Sequence, residues 1–136
     1  MKKETQDKTI TPVKRWCVSL DWYQQYHRSF SSVAAKYLCP ECRQKWGENA
    51  EIPPDDIAKA LRNCCSLKPG FLTETTPVLE SVFATFLAGG NQPLSAEELS
   101  RQLVEHRGGA DGYRFSPEIL EKLLVNDDFY GFTESP

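Results

Sequence analysis

The chain has 136 residues, a net charge of −3 and 26% charged residues, a composition that suits one domain or two small ones sharing a core. No apolar run approaches the roughly 18 residues needed to span a bilayer; the longest cluster, Val78 to Ala88, is interrupted by Glu80, Ser81 and Thr85. Charge is unevenly spread, with 12 Lys or Arg against 9 Asp or Glu in residues 1–75, and 4 against 10 in residues 76–136.

The first stretch, "MKKETQDKTITP", is polar and lacks the apolar core of a secretory signal. Residues 1–14 have nothing to bury, so a disordered tail is expected there, on a cytoplasmic protein. In "SLDWYQQYHRSF", Leu20, Tyr23, Tyr26, His27 and Phe30 recur at spacings of three and four. That spacing predicts a helix, with Ser19 as its N-cap. A second short helix, "SSVAAKYL", puts Val33, Ala34, Tyr37 and Leu38 on one side, and a turn follows at Cys39-Pro40.

Pro53 and Pro54 break the chain and can open a new helix, "DDIAKALRNCCS". Asp55 and Asp56 favour the positive end of its dipole. Ile57, Leu61, Cys64 and Cys65 share one face, and Lys68-Pro69-Gly70 ends the element. In the acidic half, "TPVLESVFATFLAGG" has a cap at Thr76, Pro77 at the first helical position and a Gly89-Gly90 stop. "SAEELSRQLVEHRGG" opens on a capping box of Ser95 and Glu98. "SPEILEKLLVND" opens on Ser116 and Pro117 and is expected to bury Ile119, Leu120, Leu123 and Leu124. His106 suits the C-terminal end of its helix, and Asp111-Gly112 reads as a turn. "DDFYGFTE" suits a short strand or a tight return over the core.

The most direct line to chemistry is "YLCPECRQKW" together with "RNCCS". In Cys39-Pro40-Glu41-Cys42 both thiolates can turn toward one centre, the usual first half of a tetrahedral zinc site. Cys64 and Cys65 begin 22 residues beyond Cys42 and offer a closing pair. Adjacent residues on a helix diverge by about 100°, so both reach one metal only if the helix ends there. Cys17 and His27 are reserve ligands. The same four thiolates would also serve an iron–sulfur cluster. Two bland alternatives stand beside the metal: Cys64 and Cys65 as core filling, and a CxxC redox pair, for which no preceding strand is evident. In a reducing compartment, clustered cysteines are more often metal or redox groups than structural disulfides, and an odd count of five argues against a full disulfide framework.

The residues "QPLSAEELSRQL", "FSPEILEKLL" and "DFYGF" resemble a winged helix-turn-helix domain over about 60 residues, 76 to 136. "CPEC" resembles the knuckle of zinc-ribbon and related zinc-finger proteins. The winged-helix resemblance implies DNA contact through the third helix, whose exposed positions would include Glu118, Glu121, Lys122, Asn126 and Asp127. That set is acidic, and an acidic helix opposes approach to a duplex, so a protein partner is the better match. Nucleic acid, if bound, would meet the basic half at Lys14, Arg15, Arg28, Lys36, Arg43 and Lys45, beside Trp16, Trp22 and Trp46.

The expectation is a mainly α chain. A small metal-clasped helical unit, 15–72, would be joined to a three-helix winged-helix-like unit, 73–136. No phosphate-binding glycine loop or Ser/His/Asp trio stands in a convincing context. The expected function is therefore that of a non-enzymatic, zinc-stabilised adaptor, associated with nucleic acid or transcription and docking on a protein partner. A purely structural interaction subunit and an iron–sulfur or thiol redox sensor are the alternatives.

Overall fold

The computed structural model describes residues 13–46, 52–68, 70–73, 75–107 and 116–135. The expected tail therefore falls outside the described residues up to residue 12, as do residues 108–115, with the expected Asp111-Gly112 turn, and the side chains of Trp46 and His106. The fold is mainly α, as the periodicities predict, with one small sheet. Its elements are β1 (Arg15–Val18), α1 (Leu20–Gln25), α2 (Phe30–Ala34), α3 (Pro40–Trp46), α4 (Pro54–Asn63), α5 (Val78–Ala88), β2 (Leu94–Ser95), α6 (Ala96–Arg107), α7 (Pro117–Val125) and β3 (Phe132–Glu134).

The sheet was only partly foreseen. β1 lies in the middle, antiparallel to β2 on one side and β3 on the other. "RWCV" is too short for its alternation to stand out in the sequence, but Trp16 and Val18 face the core and Arg15 faces water. Two partners from the acidic half complete it. Cys17 sits opposite Thr133 and Val18 opposite Phe132. β2 stops opposite Trp16, which leaves the Val18 backbone without a strand partner on that side. The Asn91 side chain takes that place: its Oδ1 accepts from the Val18 N–H at 2.9 Å, and its Nδ2 donates to the Val18 carbonyl at 2.8 Å. Asn91 itself is left-handed, with φ 57°, a conformation asparagine tolerates better than most residues.

The first predicted helix ends at Gln25 rather than at Phe30, and the second, "SSVAAKYL", is present as α2 followed by a 3-10 turn over Ala35–Tyr37. Ser19 caps α1 by accepting from the Trp22 N–H. The chain then turns at Tyr26 and His27, where φ is 54°, because Ser29 competes as a second cap and accepts from the Ser32 N–H. Tyr23 and Phe30 are buried; Leu20 and Tyr26 are not. α5 is the centre of the core, with residues 81–87 all buried, which suits a helix apolar around most of its circumference. It starts at Val78, with Pro77 rather than Thr76 in the cap position. Phe83 packs against Phe30 and Tyr37 from the basic half and against Tyr130 from the acidic half, with ring centroids 5.4 to 6.1 Å apart. One apolar cluster thus contains residues from Trp16 to Phe132.

The predicted capping box on α6 is present. The Glu98 N–H donates to Ser95 Oγ at 3.1 Å and the Ser95 N–H to Glu98 Oε1 at 2.9 Å. Ser116 caps α7, which buries Leu120 and Leu124. Ile119 is 45% exposed instead of buried, because it lies about 100° around the helix from Leu120. Between α7 and β3, Asp127 accepts backbone N–H groups from Phe129, Tyr130 and Phe132 and so shapes the return. Gly131, at φ 74°, completes it: a Cβ there would lie 2.9 Å from the Trp22 ring.

Candidate metal centre

Two helix ends meet at the cysteines. Proline can start a helix but cannot continue one, so Pro40 opens α3 where a plain turn was predicted. Cys39 stands just before it and Cys42 in its first turn. At the other arm α4 ends at Asn63. Cys64 leaves the helical conformation, with φ −133° and ψ −65°, and Cys65 begins a 3-10 turn to Leu67. This exit from the α-helix removes the divergence that adjacent helical residues would otherwise show.

The four sulfurs of Cys39, Cys42, Cys64 and Cys65 all lie within 4.8 Å of one another. The Cys39 and Cys64 sulfurs are 3.9 Å apart. Four thiolates about 2.3 Å from one tetrahedral zinc stand about 3.8 Å from each other. The donor set and its spacing therefore suit a single ion, and all four cysteines are free thiols. The inner pair is shielded: Cys42 is 9% and Cys65 1% exposed. Cys39 and Cys64 are half-buried.

Backbone groups prepare the sulfurs for negative charge. The Cys39 N–H donates to Cys65 Sγ at 3.1 Å. The Cys42 N–H bonds to the Cys39 sulfur and lowers that thiol to about 7. Burial pushes Cys42 up to about 11 and also raises Cys65. Hydrogen bonding with Cys42 raises Cys64. The thiols held above their usual range must lose their protons to bind a divalent ion, so loading should release protons, and apparent affinity should rise with pH and weaken as pH falls. Titration calorimetry in buffers of different ionisation enthalpy reads this release; near-zero release would contradict the four-thiolate set.

A second layer holds the two arms. Arg43 donates to the Leu38 carbonyl through Nε at 3.2 Å and to the Lys36 carbonyl through Nη2 at 2.8 Å, bracing the approach to Cys39. Lys68, just beyond Cys65–Leu67, pairs with Glu41 in the first turn of α3, between Cys39 and Cys42. Neither Glu41 nor Lys68 stood out in the sequence. Their opposite charges, one in each cysteine segment, become a signal only once the two segments are placed together.

The reserve ligands lie outside the cluster. Cys17 is in β1, paired across to Thr133, and His27 is in the exposed turn after α1. Four of the basic residues named for nucleic acid have different neighbours. Arg28 lies over the Phe129 ring at 3.9 Å and the Trp22 ring at 5.7 Å. Lys36 pairs with Glu80 at 3.1 Å. Arg43 is the brace just described, and Lys45 stands exposed on the last turn of α3. No family model matches the chain, and neither the curated proteins nor the solved structures give a match. Among the described residues no helix is long and apolar enough to cross a membrane.

Proposed function

We propose that this chain is a non-enzymatic adaptor in which one structural zinc ion, held by Cys39, Cys42, Cys64 and Cys65, clasps α3 to the end of α4. The observation that carries the reading is the mutual approach of the four sulfurs to within 4.8 Å. Four thiolates occupy all four positions of a tetrahedral ion, so no position remains for a reactive water, and that is the pattern of a structural rather than a catalytic site. The spacing also favours zinc over an iron–sulfur cluster, whose thiolates are spread over several iron atoms. The clasped unit would hold the acidic C-terminal half, 76–136, for docking on a protein partner. Ile119 and Val125, 45% and 59% exposed on α7 beside Glu118 and Glu121, support that side of the reading.

Association with nucleic acid or transcription belongs to the same proposal and rests on the positive balance of residues 1–75. It is the thinner strand of it, because Arg28, Lys36 and Arg43 already hold partners within the chain. Elemental analysis of protein purified anaerobically without chelator tests the zinc reading. About one zinc per chain and a colourless solution are expected. Iron with a broad visible band would replace the adaptor by a redox sensor, and a metal-free, fully folded chain would overturn the clasp.

A further inference from the structure

The four sulfurs are not equivalent. Cys42 and Cys65 are shielded, while Cys39 and Cys64 are half-buried and their sulfurs stand 3.9 Å apart. These outer two belong to different arms of the clasp, one before α3 and one after α4. We propose that Cys39 and Cys64 form an oxidation site for hydrogen peroxide, closing a disulfide that expels the metal while keeping the two arms joined. Expulsion of an ion rests on the zinc reading above; the pairing of the sulfurs does not.

The electron count is simple. One outer thiolate attacks the peroxide O–O bond, giving a sulfenic acid and hydroxide. The other outer thiolate displaces the sulfenic hydroxyl and forms the S–S bond. Two sulfurs lose two electrons in all, and peroxide with two protons becomes two waters. The ion is left with only Cys42 and Cys65, which take up protons as it leaves. Cys42 and Cys65 are shielded, so an oxidant in solution meets Cys39 or Cys64 first. A Cys64–Cys65 bond would close a strained ring between neighbouring residues. Cys39 and Cys64 need only close from 3.9 Å to about 2.05 Å.

The proposal separates two ways of removing the metal. A chelator under reducing conditions unties the arms. Peroxide replaces the metal link by a covalent link between the same arms. The oxidised chain should therefore unfold roughly 10 °C above the reduced, chelated chain.

The test uses the full-length, zinc-loaded protein, treated with increasing hydrogen peroxide. Zinc release is read with a chromogenic chelator, and free thiols are alkylated before peptide mapping. One zinc released per disulfide, a Cys39–Cys64 linked peptide, an alkylated Cys17 and reversal by dithiothreitol are expected. A dominant Cys39–Cys42 or Cys64–Cys65 link, sulfinic acids without any link, or an oxidised chain no more stable than the chelated one would overturn the proposal. If the purified chain takes up no zinc, the metal reading has failed separately, and mapping the peroxide-treated metal-free chain still decides whether Cys39 and Cys64 pair.

Discussion

Replacing Cys65 by serine should abolish stoichiometric metal binding and lower stability by about 4 kcal/mol or more, the range that follows loss of a metal site. Cys65 combines three roles. Its sulfur is one of the four in the cluster, it is 1% exposed, and it accepts the Cys39 N–H. A hydroxyl in its place is a poor ligand for zinc and adds a polar group to a buried position. With three ligands left, the ion no longer ties the end of α4 to the start of α3, and the energy of metal binding is lost to the fold. Cys17→Ser is the matched control. Cys17 lies in β1 outside the cluster, so a change within about 1 kcal/mol is expected from a partly buried site away from the metal. Urea unfolding in buffered zinc measures both, with metal content determined on the same samples. A Cys65→Ser protein that keeps its metal and its midpoint would contradict the clasp.

The second large effect is expected far from the metal. Asn91→Gly should destabilise the chain by about 2–6 kcal/mol, from two buried backbone groups left without partners at roughly 1–3 kcal/mol each. Val18 is 2% exposed, and water cannot easily replace the two bonds that the Asn91 amide makes to its N–H and carbonyl. Glycine is the appropriate substitution because the backbone at residue 91 has φ 57°; alanine would add strain of its own. Hydrogen exchange should localise the loss, with faster exchange in β1 and at its neighbours in β2 and β3. A loss below about 0.5 kcal/mol would mean that the amide is not acting as a ladder partner for β1.

The residues that were legible in the sequence are those whose structure is decided within a few positions. Ser19, Ser116 and the Ser95–Glu98 box act as caps because a cap is a local bond between a side chain and an N–H three residues away. The cysteine set was legible for a similar reason: two close pairs with few competing ligands, and a helix that had to end between Asn63 and Gly70. What escaped was decided at a distance. β1 is four residues long and depends on partners 76 or more residues further along the chain. Asn91 reads as an ordinary turn residue until Val18 is brought beside it, 73 positions away in sequence. Aromatic spacing carries the first helix on to Phe30, but it ends at Gln25, because Ser29 offers a cap that starts the second helix locally. Periodicity alone places Ile119 in the core, yet it is 45% exposed.

The same contrast explains why the charged surface was the hardest to read. Arg28, Lys36 and Arg43 are equally basic in the sequence. In the fold one covers an aromatic ring, one answers Glu80 and one braces the loop before Cys39. Their roles are set by which neighbour the fold supplies, and that depends on long-range packing.

The most direct single measurement is X-ray absorption at the zinc edge of the purified, reduced protein. Four sulfur neighbours at about 2.3 Å, with no nitrogen or oxygen in the same shell, are the result predicted from Cys39, Cys42, Cys64 and Cys65. A mixed shell that includes histidine nitrogen or water oxygen, or a chain that folds fully with no metal to measure, would contradict it.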